Sequence, residues 1–272
     1  MINLYPCTLN IHVTLTSALR LFIKFGYLGW LFTGYQSGNG NRSVEDSILN
    51  VLRERKLADS LNSAARTDRN VSAIGNVIAL NSEEKPQKIL GILNSSIDGM
   101  IFHQHAEVAD DANPRHCDFK TYRYIVPGDR DIGPKFKAVL ESFVGTHDFS
   151  SFCRVDNRNT SRFIKSIMVK KTGDTVYVDF IAGSFLWNQI RTIMAYALDH
   201  SFDEILEDPF RLKGRYPKLV QPDPLILIDI EYRGLTFEKY SSKSRNNDFR
   251  SKLMEVSVKN QVLTQFASWL EL

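Results

Sequence analysis

The sequence predicts an α+β fold made of two lobes packed side by side, and three observations lead to this prediction. The chain has 272 residues with 43% hydrophobic content, which is enough to fill two modest cores. In both halves, segments with the two-residue alternation of strands come before and after segments with helical periodicity. The sequence contains no internal repeat at the periods typical of solenoid proteins. A pair of α+β units therefore explains the pattern.

The first lobe is predicted over residues 19–110. Its first strand is indicated by Leu19–Phe25, in which apolar residues alternate with others. After a glycine-rich loop, Ser43 is placed to cap a helix, because apolar residues then recur on one helical face. Residues 71–80 are uncharged and rich in Val and Ile, which is typical of a buried strand, and Pro86 opens a second helix.

The second lobe is predicted over residues 111–240, after an extended polar passage that supplies a strand and a joining loop. Residues 120–126 have the alternation of a strand, with their two tyrosines on one face. A helix is expected after Pro134, and it ends at Gly145.

The remaining elements follow from turn and periodicity signals. Gly173 lies in a hairpin turn, a helix is expected from Gly183, and residues 222–232 are typical of a buried strand. Residues 241–272 are predicted to form a C-terminal amphipathic helix, and residues 1–18 form an extension to which the sequence assigns no structure. The residues expected on the apolar face of the last helix are Leu253, Val256, Leu263, Phe266 and Leu270.

Charge, cysteine spacing and hydropathy limit the functional classes. A formal net charge of +3 neither requires nor excludes a nucleic-acid partner. The three cysteines are far apart and fit no metal-ligand spacing, so free thiols in a reducing compartment are expected. His103 and His105 have no third ligand nearby, so no metal site is predicted. With no apolar run of membrane-spanning length and no secretory signal, we expect a soluble cytoplasmic protein.

The stretch around Asp68 has unusual chemistry for a turn. Its carboxylate lies between two guanidinium groups, those of Arg66 and Arg69, just before the uncharged run that predicts a buried strand. One interpretation is a tight turn capped by Asp68, with Asn70 in a left-handed conformation. The other is a functional carboxylate held at the mouth of a sheet.

Two further features concern charge. Residues 154–171 hold six cations and one acid, which favours either a solvated face or a nucleic-acid contact. Arg191 lies in a predicted helix beside an apolar stripe, where its guanidinium either extends to water or is drawn inward by a buried carboxylate. His147 beside Asp148 suggests a hydrolase, but adjacent residues of one loop rarely converge as a catalytic triad. The six cations are Arg154, Arg158, Arg162, Lys165, Lys170 and Lys171.

Five segments, in this order along the chain, resemble the tRNA pseudouridine synthase A family. The resemblance covers roughly residues 19–232. The segments are Gly26-Tyr27 through Gly34-Tyr35-Gln36, Arg66-Thr67-Asp68, Lys120 through Tyr124, Phe143 through Phe149, and Gly183 through Leu186 followed by Arg191.

The resemblance implies a fold and a reaction. The fold is that of pseudouridine synthases, with two ferredoxin-like or RRM-like lobes, antiparallel sheets flanked by helices, and a catalytic cleft between the lobes. The implied reaction is isomerisation of uridine to pseudouridine in the anticodon stem-loop of tRNA, at tRNA positions 38–40, without a metal or cofactor. Because the family is homodimeric, a homodimer that binds tRNA is expected.

The resemblance also assigns roles to residues. Asp68 is expected to be the catalytic carboxylate, and Arg191 its paired cation. Tyr122 is expected to stack on the target base and to reach a proton near C5. Tyr35 and Gln36 belong to an RNA-binding loop in this scheme. The cations expected to contact RNA are Arg66, Arg69, Arg154, Arg158, Arg162 and Lys165.

The sequence departs from the family pattern beside the carboxylate. Ala65 replaces a glycine, and Arg69-Asn70 replaces a small residue followed by glycine. Because Asn tolerates a positive φ, we expect the shape of the loop to be retained. The rival interpretation is a catalytically inactive RNA-binding protein on the same scaffold. Simple RNA binding does not require Asp68, Tyr122 and Arg191 together, whereas the isomerase requires all three.

Overall fold

The computed structural model describes the side chains and backbone of most of the chain, and the backbone alone at 244–245 and 266–269. Over the described residues the chain forms an α+β fold, as predicted, with a sheet of ten strands and five α-helices. The expectations for Arg158, for residues 1–17 and for Leu270 lie outside this part of the chain. The described residues are 18–38, 42–126, 128, 130–155 and 159–269.

The first half of the chain supplies four strands and two helices. They are β1 (Leu19–Tyr27), α1 (Val44–Glu54), β2 (Asn62–Ser63), β3 (Ser72–Ser82), α2 (Pro86–Ser96) and β4 (Met100–Val108). Strand β1 lies between β3 and β4 and pairs antiparallel with both. Ser43 caps α1 as predicted, because its hydroxyl accepts the backbone N–H of Asp46, and Ile48 and Leu52 are fully buried on the inner face of the helix.

The second half supplies six strands and three helices. They are β5 (Phe119–Val126), α3 (Phe136–Glu141), β6 (Gly145–Asp148), β7 (Ser161–Thr172), β8 (Thr175–Ala182), α4 (Gln189–Asp199), β9 (Leu225–Glu231), β10 (Glu238–Lys239) and α5 (Lys243–Trp269). Strand β5 lies between β8 and β9, and these pairings are antiparallel. Strands β7 and β8 form the predicted hairpin, with Gly173 at a φ of 56° in its turn.

One parallel pairing joins the two halves into a continuous sheet. Strand β3 pairs with β9 at Ser72 and Ala73, which gives the strand order β10-β4-β1-β3-β9-β5-β8-β7-β6, with β2 beside β3. The approach is close at Gly75, where an added Cβ atom would lie 2.6 Å from the carbonyl oxygen of Ile228. The join places the loop before β3 directly beside the second half of the chain. The lobe boundaries at residues 110 and 240 stay predictions.

Helix α4 begins later than predicted. Residues 183–188 form a loop, and the helix starts at Gln189, after Asn188 in a left-handed conformation with a φ of 64°. The buried side chain of Gln189 accepts the backbone N–H of Leu186 through Oε1 at 2.8 Å, which holds the loop against the start of the helix. Leu186 is therefore a buried residue of the loop, and the row of buried apolar residues on α4 starts at Ile190.

Two peripheral elements complete the fold. Residues 145–148, for which the sequence predicts a loop, form the edge strand β6 against β7. Most of the described side chains of α5 are exposed: Leu253 and Val256, from its predicted apolar face, are 71% and 58% exposed. Lys252 joins α5 to the turn before β4 through an ion pair with Asp98 at 3.1 Å. Within the described ranges, no helix combines the length and hydropathy needed to span a membrane.

Candidate active site

A cavity of about 930 Å³ opens between the loop before β3 and the loop before α4. Both halves of the chain line it, because residues 33–38 and 66–69 come from the first half and residues 185–191 from the second. Its volume falls within the ~300–1,000 Å³ of small-molecule sites. The predicted site residues that meet in this cavity are Tyr35, Gln36, Arg66, Asp68, Arg69, Tyr122 and Arg191.

An ion pair crosses the cavity between the two halves of the chain. Arg191 Nη1 donates to Asp68 Oδ2 at 3.2 Å, and the two side chains are 15% and 31% exposed. Arg191 Nε donates to the carbonyl oxygen of Val220 at 2.9 Å, and Nη1 also lies 3.4 Å from Asn188 Oδ1. Because these acceptors fix the plane of the guanidinium, Arg191 is drawn inward by a carboxylate instead of extending to water.

Buried side chains hold the loop that carries Asp68. The hydroxyl groups of Tyr27 and Thr67 are 2.8 Å apart, and Asn76 Nδ2 donates to the carbonyl oxygen of Ala65 at 3.0 Å. Asn76 is fully buried, and its Oδ1 accepts a neighbouring backbone N–H. Burial raises the pKa of Tyr27, so its phenol stays neutral and acts as a hydrogen-bonding group. The chain is thus anchored immediately before Asp68.

Two further contacts define the ends of this loop. Lys120 reaches from β5, and its Nζ donates to the carbonyl oxygen of Ala64 at 2.7 Å, while burial lowers the pKa of its ammonium group. At the other end, the Val71 backbone N–H donates to the Asp68 carbonyl oxygen at 3.2 Å, and Asn70 has a φ of 70°. The backbone of Asp68 therefore makes the tight turn, while its side chain lies in the cavity with Arg191.

Tyr122 lies in the wall of the cavity on β5. Its ring is 8% exposed and meets the ring of Phe185 edge-on, with centroids 5.3 Å apart. Burial is the main cause that raises the pKa of Tyr122, and the carboxylate of Asp68 adds to it. The phenol is therefore neutral, and it presents a ring and a hydroxyl group next to the ion pair.

The glycine-rich loop before α1 and the loop before β3 contribute both buried and exposed groups to the cavity. Arg66 and Gln36 are exposed at the cavity, with Arg66 Nη1 3.4 Å from Gln36 Oε1. Arg69 is also exposed there. Tyr35 is 1% exposed and packs against Tyr27, with ring centroids 6.1 Å apart, so its ring belongs to the core as well as to the wall. Direct contact of these residues with RNA stays a prediction.

Three described cations of residues 154–171, namely Arg154, Arg162 and Lys165, make separate contacts. The guanidinium of Arg154 lies over the ring of Trp187 at the rim of the cavity. Arg162 and Lys165 lie on β7, where Arg162 donates to its own neighbouring backbone and the Lys165 ammonium lies 3.9 Å from the ring centroid of Phe119. Neither of these two residues lines the cavity.

The histidines that suggested other chemistry have structural partners. The ring of His147 stacks on Phe210 with centroids 4.1 Å apart, and its Nε2 lies 3.0 Å from the Val144 carbonyl oxygen. Asp148 instead accepts hydrogen bonds from Ser150 and Thr160, so the two residues do not form the beginning of a triad. Among the described residues, no group of three or more potential metal ligands occurs.

Sequence reasoning missed two residues that shape the site. Asn76 puts a polar amide into the run of residues 71–80, whose other long side chains are apolar, and a buried amide needs partners, so its position signals a structural hydrogen bond. Asn188 borders the cavity with a left-handed backbone, and its side chain lies beside Arg191. Its signal is weaker, because the sequence gives no sign that a helix starts after it.

The fold and this site can be compared with known proteins. Residues 139–233 match the family described as tRNA pseudouridine synthase. The chain is 43% identical to the tRNA pseudouridine synthase A of Thermoplasma acidophilum over 246 residues, which cover 89% of this chain and 96% of that protein. It is 34% identical to the protein of the same name from Pyrococcus abyssi, over 87% of this chain and 95% of the relative.

These identities extend over nearly the whole length of the relatives. The chain therefore belongs to the tRNA pseudouridine synthase A family, a family of isomerases that act on tRNA. The resemblance drawn from the five sequence segments is confirmed.

Proposed function

We propose that this protein converts uridine to pseudouridine in the anticodon stem-loop of tRNA, at positions 38–40, with Asp68 as the catalytic carboxylate. The observation that carries the proposal is the ion pair between Asp68 and Arg191 in one cavity with Tyr122. Family membership supplies the reaction, and the cavity supplies a carboxylate with a fixed position. RNA binding alone gives no reason to assemble these three residues.

The reaction needs groups that these residues can provide. The bond between C1′ and N1 breaks, the base turns, a bond forms between C1′ and C5, the C5 hydrogen leaves as a proton and N1 gains one. Asp68 either attacks the nucleotide or stabilises the detached intermediate, and both routes need an ionised, oriented carboxylate. Arg191 provides that orientation through its contacts with Asp68 and Val220. Tyr122 supplies a ring on which the uracil stacks, since its raised pKa disfavours the phenolate that a general base requires.

The target uridine lies in a stem-loop of the tRNA, so it has to leave its stack to reach Asp68. Exposed Arg66 and Arg69 border the same cavity, where they suit contacts with the RNA backbone or with the displaced base. Because tRNA is the substrate, the proposal also places the protein in the cytoplasm.

Tritium release from tRNA labelled at uridine C5 tests the reaction and its position. We expect the protein to release tritium from a tRNA transcript, and to lose this activity when the uridines of positions 38–40 are replaced by cytidine. A transcript with replacements elsewhere serves as the control. Release that is unaffected by the anticodon replacements would contradict the assigned position. The absence of release from any tRNA would favour the inactive RNA-binding protein.

The proposal includes a homodimer. A folded tRNA is longer than one domain of this size, so a second chain can hold the body of the RNA while the first offers Asp68. The outward face of β7 suits contact with the body of this RNA, because it presents Lys165 beside Phe163 and Met168, which are 55% and 50% exposed. Light scattering of the free protein is expected to show a dimer, and a catalytically competent monomer at micromolar concentration would refute this part of the proposal.

A further inference from the structure

Trp187 is an exposed aromatic residue at the rim of the cavity, and the mechanism above does not use it. It lies in the loop before α4, borders the same cavity as Asp68 and is 44% exposed. Tryptophan is usually well buried, because its large ring dominates the energetics of cores and interfaces. A half-exposed indole beside a nucleic-acid cavity is suited to stacking on a base.

Arg154 holds the indole ring in place. Its guanidinium carbon lies 4.0 Å from the centroid of the Trp187 ring, and its backbone N–H donates to the Trp187 carbonyl oxygen at 2.8 Å. The first contact places a cation over the face of the ring, and the second ties the two backbone segments together. Because the fold fixes the ring before any ligand arrives, stacking on it costs little conformational entropy.

The cavity has more room than one base requires. Its volume of about 930 Å³ lies near the top of the ~300–1,000 Å³ that accommodates whole drug-sized ligands. A uridine turned toward Asp68 and Tyr122 therefore leaves space at the rim. An RNA strand that delivers this uridine has to enter and leave across the rim, and the base next to a flipped uridine has lost one of its stacking neighbours.

We propose that Trp187, held by Arg154, is the stacking site for the base adjacent to the target uridine. This inference rests on the proposed function, because it requires a uridine turned out of the stem-loop toward Asp68. The subsite recognises the face of a nucleobase, so it adds affinity for the RNA and little sequence preference. Trp187 thus replaces the stacking that the flipped uridine leaves behind.

Steady-state kinetics with a tRNA transcript give the first test. We expect Trp187→Leu to raise KM about tenfold with little change in kcat, because the ring contacts a neighbouring base and not the reacting atoms. Trp187→Phe is expected to restore most of the loss, and Arg154→Gln to show a smaller rise in KM. Trp30→Leu is the matched control, since Trp30 is 55% exposed and does not border the cavity.

Transcripts with an abasic nucleotide on the 5′ side or the 3′ side of the target uridine locate the contact. If Trp187 stacks on the adjacent base, Trp187→Leu is expected to cause no further rise in KM with one of these two RNAs. A penalty that stays about tenfold on both RNAs would overturn the proposal, because the ring would then contact something else.

Fluorescence separates this inference from the proposed function. A Trp30→Phe, Trp269→Phe variant keeps Trp187 as the one tryptophan of the chain, and stacking is expected to quench its emission when tRNA binds. A variant that releases tritium without quenching would overturn the stacking site alone. Quenching by tRNA in a protein that releases no tritium would show an RNA-stacking ring but overturn its place in the reaction, together with the proposed function.

Discussion

The two charges of the central ion pair come from parts of the molecule that are built differently. Asp68 lies in a loop whose shape depends on side chains from three strands, namely Tyr27 of β1, Asn76 of β3 and Lys120 of β5. Arg191 lies in the regular helix α4, and other residues are needed only to orient its side chain.

This difference shows where each position is vulnerable. Backbone hydrogen bonds hold Arg191: the N–H of the next residue, Thr192, donates to the Asn188 carbonyl oxygen at 2.9 Å, and the Val220 N–H donates to the Arg191 carbonyl oxygen at 3.3 Å. The loop depends more on side chains: losing the Asn76 or the Lys120 contact leaves a loop carbonyl oxygen without that donor, and losing the Tyr27 contact leaves the Thr67 hydroxyl without its partner. Polar residues far from Asp68 in sequence therefore control its position, and they are expected to affect turnover more than their distance from the cavity suggests.

The largest effect is expected from removing the guanidinium. Arg191→Met leaves Asp68 without its oriented partner, at a cost near the lower end of the ~3–5 kcal/mol for breaking a buried pair, since Asp68 is 31% exposed. Because the carboxylate also loses the orientation that the reaction needs, we expect the single-turnover rate at saturating tRNA to fall more than about a hundredfold, which is about 3 kcal/mol in the activation barrier. Arg233→Met is the control, because the side chain of Arg233 is 86% exposed. Equal losses of the single-turnover rate in the two variants would show that turnover does not depend on the ion pair between Asp68 and Arg191.

A smaller effect is expected from the buried amide of Asn76. Asn76→Ala removes its hydrogen bond to Ala65 and is expected to lower the free energy of unfolding by about 1–3 kcal/mol and to reduce kcat. Asn94→Ala is the matched control, because Asn94 is also buried and bonds the backbone of Leu90 and Phe102, away from the loop. Urea unfolding and tritium release on both variants check the prediction. If Asn94→Ala slows turnover as much, the loop has no special role.

The hydroxyl contact between Tyr27 and Thr67 is expected to matter less. Tyr27→Phe keeps the ring and removes the hydrogen bond to Thr67, worth about 1 kcal/mol, together with the longer contact from Asn76 Nδ2 at 3.5 Å, so we expect kcat to fall several-fold at unchanged KM. Thr67→Val is expected to show a similar or smaller loss, and the double variant no more than Tyr27→Phe alone, because both remove the bond between the two hydroxyl groups. Tyr232→Phe provides the control, since its hydroxyl donates to Pro114 elsewhere. Additive losses would contradict the shared bond.

The smallest effect on turnover is expected from the cations of β7. Lys165→Glu combined with Lys170→Glu is expected to weaken tRNA binding several-fold at low salt and to flatten its salt dependence, while kcat at saturating tRNA stays unchanged. Filter binding across a salt series measures this effect. A change in kcat without a change in the salt slope would place these cations in the reaction instead of on the path of the RNA.

Much of the fold could be predicted because its elements have clear periodic patterns. Strand β3 and helix α1 are examples, with Ser43 supplying the cap that its sequence position indicated. Strand β6 could not be predicted, because the residues Gly145–Asp148 have little strand propensity and pair only because β7 lies beside them. The start of α4 was placed too early for a similar reason, since the Gln189 side chain holds the preceding loop.

The candidate site, like the fold, is predicted only in part by the sequence. The sequence, through its resemblance to a family, indicated Asp68, Tyr122 and Arg191, and the structure brings them into one cavity. It did not indicate that β3 and β9 pair, which is what brings the two halves together. The contact of Arg154 with Trp187 joins residues that are far apart in the chain, so no local pattern could show it.

The carboxylate of Asp68 itself gives the most direct test. Asp68→Asn keeps the size of the side chain and removes its charge, and it is compared with Asp110→Asn, which changes an exposed residue away from the cavity. Single-turnover tritium release is measured with each variant saturated with labelled tRNA, alongside the dissociation constant of the same complex. We expect Asp68→Asn to abolish release while its tRNA affinity stays close to that of the wild type. Release at the wild-type rate by Asp68→Asn would contradict a catalytic role for this carboxylate.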